Sequence, residues 1–196
     1  MTRRAIGALV GAVVVVGLFA WALTVTLERV MRPPLQTPAE SAAAPEPATA
    51  PGRHITATLF VGADDGQHLR AVQREVPFGE GPVEQGRQIV LAQLTAAADA
   101  PLVSVVPSGA TLRSFYISER GEAFVDLGPE IASAHPGGSA AEQLTVYAIV
   151  NSVAANLPAV TTVQLLVDGK EVDTLAGHVD IRRALRRNDS ILARAK

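Results

Sequence analysis

"TLRSFYISERGEAFVDLG", Thr111 to Gly128, is the stretch on which the fold turns. Its two halves are short runs of aromatic and branched residues joined by Glu119-Arg120-Gly121, the composition of a β-hairpin. Downstream, "SAAEQLTVYAIVNSVAANLP" sets Val146, Ile149, Val150, Val153 and Leu157 on one helical stripe that reads as core. Ser139 and Glu142 have the spacing of a capping box, and Pro158 stops the helix. "VTTVQLLVDG" and "KEVDTLAG" then read as a closing hairpin around Asp168-Gly169.

The same rhythm runs upstream. "HITATLFVG", His54 to Gly62, alternates as a strand should. "LRAVQREVP", Leu69 to Pro77, is a second strand whose alternation slips by one, which predicts a bulge. "VEQGRQIVLAQLTAA" places Val83, Val90, Leu94 and Ala97 on a helical face, with Gly86 a weak point. Hairpins alternating with single helices predict an α+β domain over residues 54–185, a mostly antiparallel sheet with two main helices packed on one face. Ile181, Leu185 and Leu192 fall along one side of a short basic helix, and residues 186–196 form a basic C-terminal tail.

Before this domain the composition changes twice. Ala5 to Leu27 is an uncharged run of 23 residues, and about 20 apolar helical residues span a bilayer core. It predicts a single-pass transmembrane helix within residues 1–32, with a cytoplasmic start and the folded part extracytoplasmic. A cleaved secretory signal is the competing reading, but its apolar region is normally shorter. Residues 33–53 carry six prolines and almost no large apolar side chain, a disordered or extended linker.

Charge is unevenly laid out. From Pro33 to Asp180 there are 7 Lys and Arg against 17 Asp and Glu, whereas Ile181 to Lys196 holds 6 against 1. An acidic body is a poor match for nucleic acid. The tail could meet anionic lipid, an acidic partner or the acidic domain itself. Cysteine is absent, which removes disulfides, thiolate metal sites and a lipid-modified anchor.

No catalytic constellation emerges from the candidate residues. Asp64, Asp65, Gly66 and His68 lack the register of a calcium loop and read as the polar tip of a hairpin. His54, His68, His135 and His178 form no local metal-ligand pair. Ser108 and Ser139 lie beside glycines without the strand-turn-helix context of a nucleophile. The glycine pair before Ser139 lacks the lysine expected of a phosphate cradle. Asp126, at a strand end ahead of Glu130, is expected to tie down the loop that follows it. The reading is therefore no catalytic residues, no cofactor and no metal.

Taken in order, "ATLFVGADDGQHLRAVQREVP", "GRQIVLAQLTAA", "VPSGATLRSFYISERGEAFVDLG" and "AAEQLTVYAIVNSVAANLPAVTTVQLLVDG" resemble the GerMN domain of spore-germination and sporulation envelope proteins and bacterial lipoproteins. The similarity covers about Ile55 to Leu185 in a single copy, with an apolar segment where many members carry a lipobox cysteine. The resemblance implies a compact α+β module that looks like ring-building units and serves assembly or binding, with no established catalytic residues. The expected role is a membrane-anchored, non-catalytic interaction module of the cell envelope. Its partners would be envelope proteins, including further copies of itself, met through the closing hairpin (residues 165–175) or the exposed face of the second helix. The alternatives are a reader of wall glycans or small solutes, with a polar pocket near Asp126 and His135, and a peptidoglycan hydrolase.

Overall fold

The computed structural model describes residues 52–96 and 103–194. The run Ala5–Leu27, nearly all of the proline-rich linker, and Ala97 lie outside the described residues, and so do the transmembrane and linker readings. Among the described residues no helix is long and apolar enough to cross a membrane.

Among the described residues five strands form, in two sheets rather than one. β1 (His54–Gly62) and β2 (Leu69–Pro77) pair antiparallel, from His54 opposite Pro77 to Gly62 opposite Leu69. This register is unbroken, so the expected bulge in the second strand is absent. The slipped alternation has another cause: both faces of this ribbon are partly covered. Val72 and Val76 face the main core with Ile55, Leu59 and Val61, whereas Leu69 joins Phe60, Leu144, Ala148 and Ile191 in a smaller cluster behind it.

The second sheet has the order β3-β4-β5. β3 (Leu112–Ile117) and β4 (Glu122–Leu127) are the predicted hairpin, closed by Gly121 at φ 76° and irregular in register between Leu112 and Ser114. β5 (Thr162–Val167) lies parallel to β4, because the chain between them crosses over through helices. The sheet is therefore mixed, not mostly antiparallel.

Helix α1 spans Gly81–Leu94, α2 Glu130–Ser133 and α3 Ser139–Asn156. The two long helices do not share one face of one sheet. α3 packs against β1 of the first sheet, β5 of the second, and α1. Its stripe residues Val146, Ile149, Val150 and Val153 are fully buried, and so are Ala148, Asn151 and Ser152 on other sides. Beyond its first turn only Gln143 is exposed, with Tyr147 and Ala154 to Asn156 half-buried. In α1 the buried residues are Gly86, Ile89, Val90 and Gln93, while Val83 is exposed. Gly86 is a contact rather than a weakness: a Cβ there would overlap the Phe115 ring.

The closing hairpin stops after one step. Asp168 and Gly169, at φ 52° and 74°, make the tight turn, and Lys170 bonds Val167, but no second strand follows. The basic helix is also replaced. Leu185 exchanges both backbone hydrogen bonds with Val163 of β5, and Ala193 donates to the Leu69 carbonyl of β2 (2.8 Å each). The C-terminal segment is an extended strap touching both sheets, with a short 3-10 turn at Asp189–Ile191.

Candidate functional site

The acidic candidates are each tied to backbone or to arginine. Asp65 accepts from the N–H of Gln67 (2.9 Å) and of His68 (3.0 Å), and its other oxygen lies 2.6 Å from His68 Nδ1. The Gln67 N–H and then the His68 ring hold its carboxyl below the ordinary 3.8. With Gly66 at φ 66°, this is the polar hairpin tip read from the sequence. Asp126 is buried and accepts from the N–H of Gly169 (2.7 Å) and from Arg113 Nε (3.2 Å), while Arg113 also pairs with Asp168. It fastens a loop, as expected, but the loop after β5 rather than the one that follows β4.

Glu142 departs most from its sequence reading. The N-cap is Gly138, and no side chain caps the helix. The carboxylate is fully buried and points away from the helix end, accepting from the N–H groups of Leu175 (2.8 Å), Ala176 (2.9 Å) and His178 (2.8 Å). Burial alone would raise its pKa. The N–H groups of Ala176, His178, Val179 and Leu175 outweigh burial and hold it below the ordinary 4.5. In the register of the Val167–Lys170 pair Thr174 would lie opposite Val163, but Leu185 takes both backbone groups of Val163, and residues 175–179 turn their amides toward Glu142 instead.

Among the described residues no three His, Asp or Glu converge as a metal site would require. His54 opens β1, His68 sits on the β1–β2 turn, His178 on the Glu142 loop, and His135 bonds Thr145 (3.0 Å) and the Gly137 N–H (3.0 Å). A cavity of about 440 Å³ opens beside Gly62, lined mostly by apolar groups such as Val103, Val105, Pro107, Pro136 and Leu144. Neither Asp126 nor His135 lines it.

The feature missed in the sequence is the treatment of sheet edges. On the side of β1 away from β2, side-chain amides replace a neighbouring strand. Gln93 of α1 donates to the Phe60 carbonyl (2.7 Å) and accepts its N–H (2.9 Å). Asn156 of α3 does the same for Thr58 (2.7 and 2.9 Å). The Val103 carbonyl takes the Gly62 N–H (2.9 Å). That edge is closed from Thr58 to Gly62, and exposed Thr56 continues it without a backbone partner among the described residues. The signal for it was a polar amide, Gln93, placed on the apolar stripe of Ile89 and Val90.

The outer edge of β2 is different. Thr58 and Phe60 turn their backbone groups away from β2, so their partners Gln73 and Ala71 turn theirs outward, and Glu75 follows by alternation. Ala71, Gln73 and Glu75 are exposed, and no described residue bonds their backbone. Both ends of this window are blocked. The Leu69 carbonyl is taken by Ala193, and Pro77 has no N–H and gives its carbonyl to Gln85 Nε2 (3.4 Å). The result is an open three-residue template (Ala71, Gln73, Glu75) along β2.

Comparison with known proteins agrees with this architecture. The Germane family, described as sporulation and spore germination, matches residues 58–173. Among solved structures, the first GerMN domain of the sporulation protein GerM from Bacillus subtilis is 16% identical with a TM-score of 0.52. That match covers 69% of this chain and 99% of the domain, and at this identity the likeness concerns the fold. A predicted lipoprotein from Clostridium perfringens is 26% identical (TM-score 0.48), over 68% of this chain and 87% of that one. The tandem GerMN domains of GerM are 14% identical (TM-score 0.49), over 70% of this chain and 45% of theirs. Among curated proteins none matches. With the family match spanning more than half of the chain and the fold shared with a GerMN domain, the chain belongs to the Germane family and carries a GerMN-type domain.

Proposed function

We propose that this chain is a non-catalytic assembly module of the bacterial cell envelope, which recruits an extended segment of a partner onto the open edge of β2. The observation that carries this reading is the contrast between the two edges of one ribbon. β1 is sealed from Thr58 to Gly62 by Asn156, Gln93 and Val103, whereas opposite them Ala71 and Gln73, with Glu75 beyond, keep outward N–H and C=O groups. Strand addition to such an edge gives main-chain hydrogen bonds without any catalytic group. The commitment of Asp65, Asp126 and Glu142 to holding loops supports a non-catalytic role. Family membership and the uncharged run Ala5–Leu27, followed by a proline-rich segment, support placement at the envelope.

The test uses the full chain in bacterial cells, with a photo-reactive residue at Glu75 and a control at the exposed turn residue Glu119. Discrete adducts are expected from position 75 and none from 119. Gln73→Pro should abolish them, since proline removes an outward N–H while sparing the β1 ladder. Adducts that persist with Gln73→Pro, in a chain whose melting is unchanged, would overturn the reading.

A further inference from the structure

The open edge has a property that narrows its occupant: it is complementary to itself. We propose that the segment recruited by β2 is β2 of a second copy, antiparallel and centred on Gln73, so that two ribbons join into a four-stranded sheet. This rests on the edge-docking reading above and adds the identity of the partner.

On β2 the open outward backbone groups are those of Ala71, Gln73 and Glu75, so pairing β2 with its copy must match these three positions among themselves. With Gln73 opposite Gln73, Ala71 of each copy meets Glu75 of the other, and every open N–H and C=O finds a partner. Sliding by two residues either way leaves one of the three positions opposite Leu69 or Pro77, whose carbonyls are already used.

Side chains select the same register. Centred on Gln73, Arg70 faces Val76, Arg74 faces Val72, and Glu75 faces Ala71. Centred on Val72, Arg70 of each copy faces Arg74 of the other. Centred on Arg74, the two Arg74 side chains face each other. Like charges directly opposite one another are unfavourable on a sheet, so both slipped registers are penalised and the Gln73 register is not. Half-buried Val72 of each copy comes to lie diagonally across the axis, extending the apolar face formed with Leu59.

A ladder of three pairs is short, so the contact is weak and exchanging, and a covalent trap is the suitable readout. Directly opposed residues on antiparallel strands have Cα atoms about 5.5 Å apart, within disulfide reach. The chain has no cysteine of its own, so there is no background. Full-length chains bearing Val72→Cys, Gln73→Cys or Arg74→Cys are oxidised in intact cells. Gln73→Cys is expected to give the disulfide dimer, and the neighbouring positions are expected to give little. Mixing Ala71→Cys with Glu75→Cys chains should yield the mixed dimer alone, and Ala71→Pro should remove the Gln73→Cys dimer.

Equal trapping at positions 72, 73 and 74, or none at 73, would overturn the self-pairing. If position 73 fails to trap while the Glu75 photo-adducts remain sensitive to Gln73→Pro, the edge docks a strand from another protein. If both assays fail, the docking reading falls as well.

Discussion

Glu142 has a carboxylate that does the work of a short strand. A fully buried acid is costly unless its lone pairs are met, and here the backbone amides of Leu175, Ala176 and His178 meet them. Glu142→Ala would leave those donors facing an apolar gap, and a loss of about 3 kcal/mol is expected in urea unfolding. Glu142→Gln keeps one acceptor oxygen and should lose less. Because the folded pKa lies below the ordinary 4.5, the carboxylate's contribution is complete above that value and fades as pH falls through the depressed one. The Gln variant should therefore lack this part of the acid-side loss, as unfolding curves across that range would show. The Ser139–Glu142 spacing was visible in the sequence and suggested a cap. Its true partners lie 33 to 36 residues downstream, and nothing local marks them.

At the level of elements, side-chain amides act as surrogate neighbours for backbone. Asn156 and Gln93 each grip both polar groups of one β1 residue, and Asn151 grips Asn188 of the strap in the same way (2.9 Å each way). Asn156→Ala opens the rung at Thr58 and should cost about 2 kcal/mol, with faster amide hydrogen exchange at Thr58 than at Leu59. A Thr58 amide as protected as before would show that the grip is incidental. Most elements were legible because their hydrophobic periods are strong: β1, β2, the β3–β4 hairpin and both long helices lie close to where their patterns put them. What the patterns could not convey was partnership. The division into two sheets, and α3 lying between them, depend on contacts between distant segments. A helix buried on several sides shows no narrow stripe that would betray its position.

For the folded unit as a whole, the decisive piece is the strap. Its sequence is rich in arginine and suggested a short basic helix and a basic tail, yet the segment is extended, Ile181 and Ile191 are buried, and Leu185 and Ala193 bond to different sheets. Ile181, Leu185 and Leu192 imitate a helical period by their spacing, so the extended path of the strap was not legible. Deleting residues 187–196 removes the Ile191 contact, the Asn151–Asn188 pair and the Ala193 bond, a loss of about 3 kcal/mol. Hydrogen exchange should show that loss first around Leu69, while β4 stays protected. The strap has a mechanical consequence. His54 enters at one end of the β1–β2 ribbon, opposite Pro77, and Ala193 is fastened at the other end, at Leu69. A pull between these two points runs along the strands and loads their rungs together in shear instead of peeling them one by one. The load reaches β2 only through the Ala193–Leu69 bond and the Ile191 contact, so the strap, and not the ladder, is the part that yields first.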